Sequence, residues 1–184
     1  AQPARRTLHA AVTVGGSRNA LCMFWDARRP EIAYLVGLLQ TDGCHDGSPD
    51  RKGRITLELA VRDRDVLEGI SSLLPCYSSV RLRHRTTNFS SDHVSATLGF
   101  FDQTARRELA ALGVTPGRKS STIGPPPAPF AEADYTRGIL DGDGSVGFTM
   151  TGTPFISLVT ASPPLAAYFC SVIADVSAGE DQYG

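Results

Sequence analysis

The sequence predicts an α+β protein built from two related halves. Two ten-residue segments share one design, residues 34–43 (YLVGLLQTDG) and residues 135–144 (YTRGILDGDG). Each is an apolar, helix-like run that begins with Tyr, carries Gly at the third position after it, and ends in Asp-Gly. Equivalent residues lie 101 positions apart, as Asp42 and Asp143 show. Because this spacing is far above the period of solenoid repeats, it indicates duplicated half-domains.

The chain between these segments alternates between helical and strand periodicity. Pro30 and Gly43 are typical start and stop signals around the first helix. Apolar residues then recur at every second position from Arg54, and Asp102 is typical of a residue that caps a helix N-terminus. The expected elements are a helix over 31–42, a strand hidden within 44–51, a strand over 54–62, a helix over 63–74, strands over 80–87 and 94–100, and a helix over 102–112.

A Pro-rich connector separates the halves. Residues 115–130 (TPGRKSSTIGPPPAPF) contain too much Pro for a helix and predict a stiff, extended segment. After it the pattern restarts with a helix, two strands over 145–151 and 155–160, and a helix over 162–175. The expected organisation is a leader of uncertain structure over 1–30, a first repeat over 31–113, a linker over 114–133, and an incomplete second repeat over 134–184.

Composition favours a globular protein of the cell interior. The chain has 184 residues, 41% of them hydrophobic, which suffices for a core. No apolar run approaches the roughly 20 residues that span a bilayer, so no membrane partner is expected. The four cysteines form no C-x-x-C pair and are expected to be free thiols in a reducing compartment, which is the cytoplasm, the nucleoid or an organelle. They are Cys22, Cys44, Cys76 and Cys170.

The layout of charge is more informative than its sum. The net charge is −1, yet residues 51–85 contain eight basic residues against four acidic ones. Only two lysines occur in the chain, so nearly all positive charge is Arg. Arg suits bidentate contacts to phosphate and guanine. A high-GC coding sequence explains the same excess of Arg, and the abundance of Ala, Gly and Pro favours that explanation.

The repeated helices predict an acidic site. Small residues lie at i, i+4 on one face of each helix and allow two backbones to approach closely. If the helices cross along these faces, Asp42 and Asp143 lie side by side at their ends. Two such carboxylates repel each other, and a divalent cation with hard oxygen ligands, such as Mg²⁺, relieves the repulsion. The small residues are Gly37 and Thr41 in the first helix, and Gly138 and Gly142 in the second.

The two segments carry a recognisable signature. Residues 35–43 (LVGLLQTDG) and 136–144 (TRGILDGDG) resemble the nine-residue motif that names the LAGLIDADG homing endonuclease family. The resemblance extends to the element order and to a connector of the form Gly-Val-x-Pro-x-x-Lys-Ser at residues 113–120. It implies duplicated αββαββα half-domains with saddle-shaped antiparallel sheets, of which the second is truncated here.

The resemblance implies an enzyme that cuts both strands of a long, non-palindromic DNA duplex. Such an enzyme requires Mg²⁺ or another divalent cation such as Mn²⁺, and works as a monomer with pseudo-two-fold symmetry. Asp42 and Asp143 match the metal-binding and catalytic position of the signature, and Gly43 and Gly144 match its final Gly beside the metal. Lys119 matches a basic residue near the scissile phosphate.

The resemblance also implies that the exposed sheet faces read bases in the major groove. Two other functions remain open on the same scaffold: an RNA maturase and a DNA-binding regulator that does not cleave. Its origin also remains open: within an intron, within an intein or free-standing. The expected DNA-binding residues are Thr56, Glu58, Arg62, Arg81, Arg83, Arg85, His93, Ser95 and Thr97 in the first half, and Ser145, Thr149 and Thr151 in the second.

The chain departs from the family pattern in four respects. Gln40 stands where the signature carries an acid, whereas Asp141 retains it. Thr41 is bulkier than Gly142, which predicts slightly looser packing on that side. The second repeat lacks its last two strands and final helix, and the net charge is low for a protein that neutralises phosphates. Both Asp42 and Asp143 are nevertheless present, which favours an enzyme over a regulator.

Overall fold

The computed structural model describes residues 24–85 and 93–180, with side chains described up to residue 174. It confirms the predicted α+β class with antiparallel sheets. A 3₁₀ turn at Val61–Asp63 joins the second strand to the second helix. In chain order the elements are α1 (Pro30–Thr41), β1 (Gly43–Asp46), β2 (Arg54–Ala60), α2 (Arg64–Leu73), β3 (Ser78–Arg85), β4 (His93–Phe100), α3 (Gln103–Ala111), α4 (Glu132–Asp143), β5 (Gly144–Phe148), β6 (Pro154–Leu158) and α5 (Pro163–Glu180).

The described strands form two antiparallel sheets. The first has four strands in the order β1-β2-β4-β3, and the second consists of β5 and β6. Gly43 pairs with Leu57 in the first sheet, and Gly144 pairs with Leu158 in the second. Both residues of the second pair lie 101 positions after those of the first, so the duplication extends from the helices to the register of the strands that follow them.

The core lies between α1 and one face of the four-stranded sheet. Ile55 and Leu57 on β2 and Leu98 and Phe100 on β4 are all fully buried there. Helix α1 is enclosed almost completely, because it packs against the sheet on one side and against α4 on another. Burying one such side chain contributes about 1.5–3 kcal/mol, so this layer holds the first half together.

Most predicted elements are confirmed, with ends that differ by a few residues. Asp102 caps α3 as expected, because its Oδ1 accepts a hydrogen bond from the backbone N of Ala105 at 2.8 Å. The strand predicted over 54–62 ends instead at Ala60, where the chain turns into the 3₁₀ segment. The strand predicted over 145–151 ends at Phe148. The last two residues of the strand predicted over 80–87 lie outside the described part.

The segment before α1 packs into the core. Trp25 is almost fully buried, and Ala27 O accepts a hydrogen bond from Ala131 N at 2.8 Å just before α4 begins. The expected leader therefore contributes structure from residue 24 onward, while residues 1–23 lie outside the described part.

The remaining whole-chain expectations concern thiols and membranes. The three described cysteines, Cys44, Cys76 and Cys170, are free thiols as expected, and Cys22 lies outside the described residues. Within residues 24–85 and 93–180, no helix has the length and apolar character needed to cross a membrane.

Candidate active site at the crossing of the repeated helices

The two repeated helices touch through their glycines. A Cβ built on Gly37 of α1 would lie 2.6 Å from Tyr135 O of α4, and one built on Gly138 would lie 2.3 Å from Tyr34 O. Both distances are far below van der Waals contact, so only glycine permits this approach. Gly37 faces Tyr135, and Gly138 faces Tyr34. Because the two glycines are equivalent in the repeat, and so are the two tyrosines, the contact is two-fold symmetric.

The helix ends pack closely as well, although one side carries a larger residue. Thr41 Oγ1 would lie 2.0 Å from a Cβ on Gly142, so the missing side chain of Gly142 leaves the space that Thr41 fills. The Thr41 hydroxyl donates within α1, where it lies 3.0 Å from Leu38 O and 3.2 Å from Gly37 O. The looser packing expected on this side does not occur, because the larger residue faces the smaller one.

Asp42 and Asp143 meet at the bottom of this crossing. Asp42 ends α1 as its C-cap, and Asp143 is the last residue of α4. Asp42 Oδ2 would lie 3.4 Å from a Cβ on Gly142, so its carboxylate rests against the last turn of the opposite helix. Burial and the negative charge of Asp143 raise the pKa of Asp42, and the positive charge of Lys119 opposes this rise.

Lys119 reaches this point from the Pro-rich linker. Its Nζ donates to Leu39 O at 2.5 Å and to Thr41 O at 3.2 Å, so it binds free carbonyls at the C-terminal end of α1. Burial lowers the pKa of Lys119 to about 8, although the charges of Cys44, Asp143 and Asp42 act in the opposite direction. The structure therefore places one cation beside the pair of carboxylates.

An open cleft of about 430 Å³ connects Asp42 with the first sheet. It joins Asp42 to side chains that the family resemblance assigns to DNA binding. It also contains two acids that were not assigned a role, Asp63 and Asp141. Asp141 could have been found from the sequence, since it stands at the acidic position of the signature two residues before Asp143. The lining residues are Asp42, Glu58, Leu59, Ala60, Asp63, Arg85, His93, Ser95 and Asp141.

The predicted DNA-binding residues of the first half share one face of the sheet, except for Arg62. Ser95 lies on this face but is buried, and its hydroxyl donates to Glu58. Arg62 was expected on β2 but lies in the 3₁₀ turn beyond it, where its Nε is 3.6 Å from Asp63 Oδ2. The residues on the face are Thr56 and Glu58 of β2, Arg81, Arg83 and Arg85 of β3, and His93, Ser95 and Thr97 of β4.

The predicted residues of the second half divide between strand and turn. Ser145 lies exposed on β5. Thr149 and Thr151 were expected on the same strand but belong to the hairpin turn, where their hydroxyls lie 2.9 Å apart. This turn closes through a hydrogen bond from Gly152 N to Thr149 O at 2.9 Å, and Gly152 has the positive φ of 83° that favours glycine.

Two tyrosines bind the helices to each other and were not anticipated. Tyr34 of α1 donates to Asp141 Oδ2 at 3.0 Å, and Tyr135 of α4 donates to Gln40 Oε1 at 2.7 Å. The partners are equivalent in the repeat, so these are two copies of one contact. Burial and the bond to Asp141 raise the pKa of Tyr34 to about 12, which keeps its hydroxyl protonated as a donor. The Tyr that opens each repeated segment was the available signal.

The described residues offer a limited set of metal ligands. They contain no group of three or more His, Cys, Asp or Glu side chains placed to hold one ion. The acidic pair supplies two carboxylates, and Gly43 and Gly144 begin the strands that directly follow them. An ion held here would therefore complete its coordination with water, backbone oxygens or the phosphate of a substrate.

Comparison with known proteins found likeness in structure only. No family model matches the sequence, and no curated protein matches it. A structure described as the homing endonuclease I-WcaI bound to its DNA recognition sequence is 12% identical, with a TM-score of 0.47, over 72% of this chain and 61% of that one. A second, the meganuclease I-SmaMI bound to uncleavable DNA with a TTCT central four, is 11% identical, with a TM-score of 0.36, over 70% of this chain and 65% of that one. The chain thus spans less than two thirds of the length of both, and likeness at this level assigns no activity to it.

Proposed function

We propose that the protein is a divalent-metal-dependent endonuclease that makes a double-strand break in a specific DNA duplex. The observation that carries the proposal is the meeting of Asp42 and Asp143 at the ends of two helices that cross glycine against glycine. Each acid stands at the essential position of a signature that resembles the LAGLIDADG motif. If each Asp-Gly pair served only as a turn after its helix, the two helices would not need to cross at their glycines.

The acidic pair fits a divalent cation by its charge and by its ligand number. Burial and, after it, the negative charge of Asp143 raise the pKa of Asp42, so a bound cation would relieve a repulsion that the folded chain otherwise carries. Mg²⁺ binds well to one or two carboxylates when water and phosphate oxygens fill its remaining positions. Bound here, the ion would supply charge stabilisation and a more acidic water for phosphodiester hydrolysis.

The residues around the pair have separable roles in this proposal. Asp42 and Asp143 hold the ion, while Lys119 places positive charge at the end of α1, where the scissile phosphate would lie. The row of arginines on β3 provides contacts to phosphates and base edges along one face of the sheet. The cleft that joins Asp42 to this face lets one duplex contact both.

The test is cleavage of a duplex library with a randomised insert, with cut ends captured by adaptor ligation and sequenced. Asp42→Asn and Asp143→Asn should each lower Mg²⁺-dependent cleavage by about 100-fold or more, a loss of about 2.7 kcal/mol in transition-state stabilisation. Duplex binding should persist in both variants. The matched control is Asp50→Asn, an exposed carboxylate 2.8 Å from Arg107 Nε and outside the cleft.

The outcomes also separate the alternative functions. Undiminished cleavage by both Asn variants would exclude the acidic pair as the active site. Duplex binding by the wild-type chain without cleavage at any Mg²⁺ concentration would indicate the regulator, and preferential binding of structured RNA would indicate the maturase.

A further inference from the structure

Two arginines of β3 share one carboxylate on β2. Arg83 Nη1 lies 3.1 Å from Glu58 Oε2, and Arg85 Nη2 donates to Glu58 Oε1. The hydroxyl of Ser95 donates to the same Oε1 at 2.6 Å. The Glu58 side chain is 25% exposed, whereas those of Arg83 and Arg85 are 56% and 42% exposed. The carboxylate therefore lies beneath two guanidinium groups that remain open to solvent.

Glu58 is anionic at neutral pH despite its cover. Burial raises the pKa of this carboxyl, but the hydrogen bond from Ser95 and the charges of Arg85 and Arg83 outweigh that effect. The pKa of Glu58 therefore lies below its ordinary value. Two positive charges and one negative charge thus occupy one small area of the sheet face. Glu58 therefore cancels about one of the two arginine charges that a polyanion would otherwise meet here.

Arg81 differs from the two arginines that follow it. It lies on the same face but lines a separate hollow of about 160 Å³, together with Arg54 and Thr56. Among the described residues, no carboxylate is hydrogen-bonded to Arg81. The hollow also contains Thr97, whose Oγ1 is buried without a hydrogen-bond partner in the described part of the chain. The row of arginines is thereby divided into one that is free of Glu58 and two that are held by it.

We propose that Glu58 is a positioning residue that sets DNA sequence preference by holding Arg83 and Arg85. It fixes the direction of both guanidinium groups and cancels one of their charges. Fixed direction favours bidentate contacts to a particular base edge. Cancelled charge weakens the phosphate contacts that bind any sequence equally. The inference rests on the proposed function, since it assumes that this face binds duplex DNA.

The first test measures how binding depends on salt. Glu58→Gln keeps the shape of the side chain and removes its charge. Fluorescence anisotropy with a duplex of arbitrary sequence, over a series of KCl concentrations, should show tighter binding and a log K against log salt slope steeper by about 0.9. The matched control is Glu68→Gln. Glu68 also pairs with an arginine, Arg64, at 2.7 Å, but both residues lie on α2 and not on the sheet face. The salt slope of the Glu68→Gln variant should therefore equal that of the wild type.

The second test asks whether Glu58 acts through the two arginines. Selection from a randomised duplex pool should return a broader set of sequences for Glu58→Gln than for the wild type. In an Arg83→Ala, Arg85→Ala background, the same substitution should change neither the salt slope nor the selected set. A direct base contact by Glu58 would instead leave its effect intact in that background and would overturn the proposal.

A third comparison does not depend on the folding of Glu58→Gln. Arg81→Gln should lower the salt slope by about 0.9, whereas Arg85→Gln should lower it clearly less, because its charge is already partly cancelled. Equal losses would overturn the inference while leaving the proposed function intact. Failure of the wild-type chain to bind any duplex would overturn the proposed function itself.

Discussion

Substitution of Gly138 by Ala tests the helix crossing on which the acidic site depends. The new Cβ would lie 2.3 Å from Tyr34 O and 3.0 Å from Leu38 N, both backbone atoms that no side-chain rotation can move. Ordinary contact begins at 3.4 Å, so α1 and α4 must separate by about 1 Å. Overpacking of this kind costs about 3 kcal/mol, of which the better helix propensity of Ala offsets about 1.

The expected net loss is therefore about 2 kcal/mol in the free energy of unfolding, or a fall in Tm of about 4–8 °C for a chain of this size. Urea denaturation followed by circular dichroism measures it. The control is Gly69→Ala on α2, where nothing lies within 4 Å of the built Cβ. That variant should be more stable than the wild type by about 0.5–1 kcal/mol, because only the propensity changes. Equal effects of the two substitutions would refute the close crossing.

Cleavage by Gly138→Ala should fall about 100-fold, since a shift of 1 Å displaces the paired carboxylates.

Two further predictions concern Lys119 and the second sheet. Burial lowers the pKa of Lys119 to about 8 in the folded chain, so the unfolded chain holds this proton more tightly. The free energy of unfolding should therefore rise with pH above about 8, and subtraction of the Lys119→Met profile should isolate that rise; a difference that falls or stays flat would contradict it. Amide hydrogen exchange should be faster in β6 than in β2, because β2 lies between two strands whereas β6 pairs only with β5 among the described strands. Equal protection of the two strands would show that β6 has further cover.

Hydrophobic periodicity predicts the interiors of these elements better than their ends. The alternation through Ile55 and Leu57 follows directly from a sheet with one buried face. The same alternation continues in the sequence to Arg62, but Val61 leaves the strand to enter the turn before α2. The sequence alternation does not reveal that β2 ends at Ala60, because the end of the strand depends on where α2 packs in the folded chain.

The acidic pair is predictable because duplication encodes it twice, whereas the tyrosine contacts and the Glu58 cluster depend on tertiary placement. Glu58 and Arg85 are 27 residues apart in the chain. They meet because β4, which carries Ser95, lies between β2 and β3 in the sheet. Alternation assigns all three side chains to one face. It does not reveal that the carboxylate binds the arginines.

The second half repeats the register of the first without its cover. Val146 and Ile156 lie 101 positions after His45 and Ile55 and pair with each other as those residues do. His45 and Ile55 are 2% and 0% exposed, whereas Val146 and Ile156 are 74% and 41% exposed. The apolar face is therefore encoded in both halves, and in the described part only the first half encloses it.

The difference between Gln40 and Asp141 shows why the two halves are not interchangeable. Both accept a hydrogen bond from the tyrosine of the opposite helix, but Gln40 is fully enclosed and Asp141 is exposed. The linker passes over Gln40, whose Nε2 donates to Gly124 O at 2.9 Å. A carboxylate at position 40 would be buried against that carbonyl oxygen with no proton to donate, at a cost of several kcal/mol. An amide satisfies the tyrosine and the linker together, so the presence of Gln40 where the second segment has Asp141 follows from the path of the linker. Asp42, two residues later, is present all the same.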